Sequence, residues 1–391
     1  MYHIKKMNAI ADVINRELDD KNYQISDAME NEHAIILRSA DLHDMEFSPN
    51  LMAISRAGAG TNNIPIERCS EAGIAVFNTP GANANAVKEL VLAAMIIASR
   101  NLLEGMEWVE TLKGQGDAIP KLTEKGKNQF VGPELSGKNL GVIGLGAIGV
   151  MVANAGHAIN MNVYGYDPFL SVSAAWGVSR AIIRANSVDE LLAKSDYVTI
   201  HIPSTDQTRG SVNKEYIAKM KDGATLLNFA RGDIVNADDV VEAVKSGKLH
   251  KYVTDFPEEC YLGVKNIVCV PHLGASTPES EENCAQMAAH QLNDYLMYGN
   301  ITNSVNLPYC HLPYTGRFRI TVIHRNQSNM VGQITAVLAR KGANISDMIN
   351  KSSKDYAYTI LDLDDVLNGD LLDTLYSIDG VIKVRLIPPR V

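Results

Sequence analysis

The chain of 391 residues is short of cysteine, of positive charge and of long apolar runs, and each shortage excludes a class of protein. Its five cysteines (Cys69, Cys260, Cys269, Cys284 and Cys310) are scattered, odd in number and form no C-x-x-C pair. That usage argues against a disulfide framework or a bound metal and for a reduced, cytoplasmic protein. The longest apolar stretch, "LVLAAMIIAS", is too short to cross a bilayer. The start, "MYHIKKMNAIADVIN", has neither a long apolar run nor a small-residue cleavage site, so no secretory signal is expected. Lys and Arg number 36 against 45 Asp and Glu, a formal net charge of −9. A general binder of nucleic acid or of anionic membrane would be basic instead. The chain has no internal repeat and no low-complexity tract.

What is present is 46% apolar residues in a chain long enough for two or three domains. Up to about residue 95, β-type runs such as "AIILRSA" and "LMAISRAGAG" alternate with helical ones such as "AVKELVLAAMIIASR". A Lys- and Gly-rich connector follows. From residue 139 strand and helix patterns alternate regularly: "NLGVIGLG", "MNVYGYD", "DYVTIHIP", "ATLLNFARG", "KYVTDFP" and "NIVCVPH" read as strands of a parallel, doubly wound sheet. A long helix over "STPESEENCAQMAAHQLNDYLMYGN" starts at Thr277-Pro278. After a linker, "RFRITVIH", "MVGQITAVLARKG", "NISDMINKSS", "DYAYTILDLD", "GDLLDTLYSI" and "VIKVRLI" give a β-α-β-β-α-β order, a small ferredoxin-like module.

Two patterns carry chemistry. "GVIGLGAIG" places Gly144, Gly146 and Gly149 in a G-x-G-x-x-G turn between a buried strand and a helix. The next strand ends in Asp167. Such glycines permit a tight turn and close approach of a pyrophosphate, the helix N-terminus faces the phosphates, and the acid accepts ribose hydroxyls. A carboxylate at that place repels a 2′-phosphate, so NAD is expected rather than NADP. Second, three strand ends deliver Arg231, an acidic cluster (Asp255, Glu258, Glu259) and His272. A guanidinium fork matches a carboxylate, and a histidine moves the proton of an alcohol. A carboxylate behind that histidine fixes its tautomer. Beside a nicotinamide, such a set suits hydride transfer on a 2-hydroxy or 2-keto acid.

The run "GLGAIG…YDP…HIP…NFARGDIV…DFPEE…PHLGAST" resembles the D-isomer-specific 2-hydroxyacid dehydrogenases, from about residue 35 to 305. The carboxy-terminal module resembles an ACT domain. Together they resemble the branch of the family that oxidises D-3-phosphoglycerate with NAD. The resemblance implies a flavodoxin-like substrate domain (1–98 and 280–306) into which a Rossmann-type NAD domain (99–279) is inserted, and an ACT-like regulatory domain (317–391). It implies that Arg231 holds the substrate carboxylate and that His272 is proton donor and acceptor with a glutamate partner. Asp255, Ala147, Ile148, Ile202, Phe229, Ala230, Gly274 and Ala275 would meet the cofactor. Arg38, Arg56 and the backbone near Gly58 would meet the substrate, with Lys125 and Lys127 as further cations for a phosphate. It also implies a homodimer or homotetramer and an L-serine effector held by His324, Asn326 and Asn344. The Pro-Gly turn usual after the first asparagine is replaced here by Ser328-Asn329. The family pattern D-V-F-x-x-E-P is one residue shorter in "DFPEEC", where Cys260 takes the place of the proline. Aligning on Phe-Pro makes Glu259 the histidine's partner, and a gap placed elsewhere makes it Glu258. Other readings of the same residues are a relative acting on 2-oxoglutarate or glyoxylate, and a non-catalytic NAD-sensing binder.

Overall fold

The computed structural model describes residues 1–364 and 371–389. They form two compact units: Met1–Ala82 together with the chain from Glu281 onward, and Asn83–Ser280.

The first unit holds a five-stranded sheet of β1 (Tyr2–Met7), β2 (Tyr23–Ser26), β3 (Ala34–Leu37), β4 (Ala53–Arg56) and β5 (Ala75–Phe77). All pairings are parallel and the order is β2-β1-β3-β4-β5, the flavodoxin-like arrangement. Every residue of β3 is buried, as a parallel strand covered on both faces requires.

The second unit holds seven parallel strands: β6 (Asn139–Ile143), β7 (Asn162–Tyr166), β8 (Ile183–Arg184), β9 (Tyr197–Ile200), β10 (Ala224–Asn228), β11 (Leu249–Thr254) and β12 (Ile267–Cys269). Their order is β12-β11-β10-β9-β6-β7-β8. The chain winds outward from β6 to β8, then crosses to β9 and winds the other way. The reversal opens a crevice at the carboxyl ends of β6 and β9, where such sheets bind ligands. Helix Ala84–Arg100, expected in the first domain, packs in this unit. Its Val87, Val91 and Met95 share a core with Leu140, Val152 and Leu227. Its apolar stripe announces burial but not the surface that buries it. The connector contains helices Leu102–Glu110 and Ile119–Gly126. It is pinned by Lys251 on β11, almost fully buried, whose Nζ donates to Asn101 and Glu104 at 3.1 Å.

Helix Pro278–Tyr298 begins at Thr277, whose hydroxyl accepts the Ser280 N–H at 3.1 Å. Beyond it lies an antiparallel sheet of β13 (Phe318–Arg325), β14 (Ile345–Ser353), β15 (Tyr356–Leu363) and β16 (Val381–Ile387), in the order β14-β15-β13-β16. Helices Met330–Arg340 and Leu371–Tyr376 complete the β-α-β-β-α-β succession. Gly369 and Asp370, read as the start of the last helix, lie outside the described residues. Arg319 fastens this sheet to the preceding linker. It is fully buried, forks onto Asp362 at 2.6 and 2.8 Å, and donates to the carbonyls of Tyr298, Leu312 and Pro313. All its donors are used. Arg385 on β16 likewise donates to the carbonyls of Tyr295 and Leu296, at the C-terminal end of the long helix. Cations suit that end of a helix dipole.

Candidate functional site

The glycine turn occupies the crevice between β6 and β9, and its three glycines are needed for three different reasons. Gly144 has φ +86, and a Cβ there would stand 2.4 Å from the His201 carbonyl oxygen that follows β9. At Gly149 a Cβ would fall 1.8 Å from the Gly144 carbonyl, so the helix Ala147–Ala158 can approach only without one. Gly146 faces open space, with nothing within 4 Å of where a side chain would begin. Open backbone at a helix N-terminus, with the N–H groups of Ala147 and Ile148 in its first turn, is where a pyrophosphate fits. Asp167, just past β7, accepts the Leu145 and Phe169 N–H groups, each at 2.8 Å. Its carboxylate thereby fixes the turn and keeps lone pairs for ribose hydroxyls. Ile202 lies against Gly144, while Phe229 and Ala230 are buried just past β10. These residues fit a dinucleotide.

The chemistry-bearing side chains stand at the ends of β10, β11 and β12. Arg231 is exposed, in extended backbone, with Nη1 donating to the Ala230 carbonyl at 2.7 Å. Asp255 is 2% exposed, and its Oδ1 has no hydrogen-bond partner. Burial pushes its carboxyl above the usual range, opposed by the charges of His272 and Arg231 and by the Gly274 N–H. The spare oxygen is suited to an amide donor such as the nicotinamide carboxamide. Gly274 is buried, and a Cβ there would stand 3.4 Å from Asp255 Oδ2 and 3.2 Å from Val87. Ala275 beside it is half-buried. His272 is exposed on one side, and its ring meets that of Phe256 edge-on, 4.7 Å between centroids.

Arg231 and His272 are thus both within electrostatic reach of Asp255. Glu258 and Glu259 are exposed, Glu259 opening a short 3-10 turn. Among the described residues no hydrogen bond or ion pair joins either to His272. No hydrogen bond or ion pair among the described residues joins Asp255 to His272 either; the two act on each other through charge alone. Sequence reasoning also passed over His201. Burial drives its pKa down to about 3. Its Nε2 lies 2.9 Å from Thr199 Oγ1, and its Nδ1 is buried without a partner. Its signal was its position, directly after a buried strand at the switch point.

In the first unit, Arg38 pairs with Glu281 at 2.7 Å. Arg56 donates to the carbonyls of Arg38 and Gly60, at 2.9 and 2.5 Å. A Cβ on Gly58 would lie 2.9 Å from the Arg56 guanidinium, so that loop closes around its own arginine. Lys125 is exposed, and Lys127 pairs with Glu124. In the antiparallel sheet His324 is buried, its Nδ1 2.8 Å from the Arg325 carbonyl and its Nε2 3.0 Å from Thr359 Oγ1. Asn326 donates to the Lys354 carbonyl at 2.9 Å, and Asn344 donates to Asp364. His324 and Asn326 lie near Tyr356 and Ala357 at one end of β15, and Asn344 lies past Leu363 at the other. At the rise of a strand that separation is roughly 25 Å. Asn329 holds the φ +66 position that opens helix Met330–Arg340, so the turn survives without glycine. All five cysteines are free, and no cluster of three or more His, Cys, Asp or Glu able to hold a metal occurs among the described residues.

Known proteins are similar to this chain in sequence and in fold. Residues 92–274 match the family described as D-isomer specific 2-hydroxyacid dehydrogenase, NAD binding domain. The chain is 36% identical over 285 residues to a D-3-phosphoglycerate dehydrogenase of Archaeoglobus fulgidus, covering 70% of this chain and 51% of that one. It is 30% identical over 379 residues to a D-3-phosphoglycerate dehydrogenase of Haemophilus influenzae, covering 93% and 88%. It therefore spans about half the length of the archaeal relative and most of the bacterial one. Its fold is similar to that of an NAD+-bound 3-phosphoglycerate dehydrogenase of Entamoeba histolytica, with a TM-score of 0.60 at 24% identity over 78% of this chain and 98% of that one. A D-isomer specific 2-hydroxyacid dehydrogenase of Lactobacillus delbrueckii gives 0.64 at 20% identity over 78% and 100%. A glycine turn with room for a dinucleotide, the match of residues 92–274 to the family's NAD-binding domain, and a bacterial relative 30% identical that is covered to 88% lead to one assignment: the chain belongs to the D-isomer specific 2-hydroxyacid dehydrogenases, and NAD is its cofactor.

Proposed function

We propose that the chain oxidises D-3-phosphoglycerate to 3-phosphohydroxypyruvate with NAD, the first step of L-serine biosynthesis. The observation that carries this reading is the grouping of Arg231 and His272 about the buried carboxylate of Asp255, at the same carboxyl edge of the sheet as the glycine turn. The names of the relatives supply the substrate. NAD, when bound, supplies the two-electron acceptor. His272 takes the hydroxyl proton of the substrate. Arg231 holds the substrate carboxylate by its guanidinium fork and stabilises the charge that develops on the reacting oxygen. Asp255 keeps a negative charge behind the imidazolium that forms. Glu259 retains that role only if the turn at Glu259–Tyr261 rearranges when substrate binds. Arg38, Arg56 and the backbone near Gly58 are assigned to the substrate by the family resemblance.

The engagement of Arg38 by Glu281 and of Arg56 by loop carbonyls favours a second reading, a relative that reduces an unphosphorylated 2-keto acid such as 2-oxoglutarate or glyoxylate. NADH oxidation measured over a panel of 2-keto acids separates the two. Fastest turnover with 3-phosphohydroxypyruvate is the expected result. A higher kcat/KM with an unphosphorylated acid would overturn the phosphoglycerate assignment, and no turnover with any acid would leave a non-catalytic NAD-sensing binder.

We assign the carboxy-terminal sheet to an ACT-like regulatory module. The distance between His324 with Asn326 and Asn344 in one chain supports a serine site that needs two copies, hence a homodimer or homotetramer. The internal bonds of His324 weaken that reading relative to a module that only builds the oligomer, so the absence of inhibition by millimolar L-serine would remove the effector. The scattered free thiols support a cytoplasmic setting.

A further inference from the structure

We infer that Thr254 is a positioning residue for the reaction, holding Phe256 as a wall between the turn of Arg231 and the ring of His272. This rests on the dehydrogenase reading above. Thr254 ends β11 and is fully buried. Its hydroxyl donates to the Asn228 carbonyl at 2.9 Å and accepts the Phe256 N–H at 3.1 Å. Asn228, equally buried at the end of β10, uses its amide on the next turn. Its Oδ1 accepts the Ala230 N–H at 3.2 Å, and its Nδ2 donates to the Arg231 carbonyl at 2.9 Å. One hydroxyl therefore ties the turn that presents Arg231 to the turn that presents Phe256.

Phe256 is gripped on two sides. Its ring meets His272, and its Cβ lies 3.1 Å from where a Cβ on Gly232 would stand. Gly232 follows Arg231 directly, so the backbone of the arginine turn, the phenylalanine and the histidine are stacked in sequence. Asp255 lies between Thr254 and Phe256 in the chain, so the same bond fixes where its buried carboxylate leaves the strand. A hydroxyl that donates to one strand end and accepts from a backbone N–H two residues on is a local turn device. Valine matches its shape and can do neither. The spacing of Arg231 and His272 matters because misplacement by about 1 Å can cost on the order of a hundredfold in rate.

The test compares Thr254→Val with Thr254→Ser in the full-length protein by two readouts. In proton NMR of the protein alone, the His272 ring C–H signals, assigned with His272→Ala, carry a ring-current shift from Phe256. Thr254→Val should lose most of that shift and Thr254→Ser should keep it. In the NADH assay, with whichever 2-keto acid the wild type reduces fastest, Thr254→Val should lower kcat about tenfold while leaving the NADH Kd within about twofold, and Thr254→Ser should recover most of the loss. An unchanged His272 signal in Thr254→Val, or a kcat loss that serine does not rescue, overturns the inference. The NMR comparison needs no turnover, so it decides the matter even if the assignment of substrate fails. Should Thr254→Val not fold, Gly232→Ala displaces Phe256 from the other side. It is expected to move the same His272 signals and lower kcat, and unmoved signals overturn the proposal.

Discussion

The NAD-binding unit and the carboxy-terminal sheet treat buried polar groups in opposite ways. In the first, Asp255 Oδ1 and His201 Nδ1 are buried with spare valence. In the second, Arg319 is just as buried, and every donor it has is occupied by Asp362, by the last residue of the long helix or by a linker carbonyl. An unpaired buried polar group costs roughly 1–3 kcal/mol. It persists where a ligand completes it, and a saturated one holds shape. The contrast separates chemistry from architecture within one chain. It also explains why His324, an effector residue by resemblance, sits on the architectural side, with both ring nitrogens engaged.

The contrast can be broken most forcefully at His272. His272→Ala should lower kcat by about 10³-fold or more with NADH binding retained, as read by turnover and NADH fluorescence titration. A variant with full turnover would remove the histidine from the chemistry. Glu258→Gln and Glu259→Gln should each leave kcat within about threefold, since neither carboxylate touches His272, whereas a loss approaching that of His272→Ala in one of them would restore the glutamate as its partner.

On the architectural side the effect should appear in stability and not in turnover per folded molecule. Arg319→Ala leaves Asp362 buried and unpaired, at a cost of about 3–5 kcal/mol. The pair Arg319→Met with Asp362→Leu should recover a large part of that loss in urea denaturation. If the single and double variants were equally destabilised, the carbonyl bonds of Arg319 would outweigh its carboxylate fork.

A pH effect on stability belongs to the other side of the comparison. His201 titrates near 3 in the folded chain against an ordinary 6.5. Between those values the unfolded chain binds one more proton, so the contribution of His201 is complete above pH 6.5. It falls by up to about 1.4 kcal/mol per pH unit as the pH drops from 6.5 toward 3. His201→Gln should flatten the dependence of the urea midpoint between pH 6 and pH 4. Parallel curves for the two proteins would show that another group governs acid unfolding.

Much of this was legible beforehand. The strand runs ending in Gly144 and Arg231 are buried and apolar, and a parallel sheet gives such runs no alternative face, while those ending in Asp167 and His272 lie toward the sheet's edges and are only partly covered. Glycine spacing predicted the turn because the steric demands at Gly144 and Gly149 are local. What could not be read were pairings decided by turn geometry. Asp255, Glu258 and Glu259 are all carboxylates within five residues, and only the path of the chain after Thr254 decides that the first is buried and the other two are exposed. The allegiance of helix Ala84–Arg100 was hidden for a similar reason, since periodicity reports that a stripe is covered and never by what. Arg38 and Arg56 carried the right charge for a phosphate, but Glu281 and the loop carbonyls that engage them are distant in sequence or belong to the backbone.

The clamp of Arg319 on the carbonyls of Tyr298, Leu312 and Pro313 has a practical corollary for anyone dissecting the gene. A truncation placed in the linker before residue 317, the natural choice for isolating the dehydrogenase from its module, removes the donor that these three carbonyls share. It also bares the face that Tyr358 covers, whose hydroxyl holds the Gly299 carbonyl at 2.7 Å. The linker is better regarded as a seam than as a hinge, and a protease that finds it in the native protein would be reporting partial opening of the first unit.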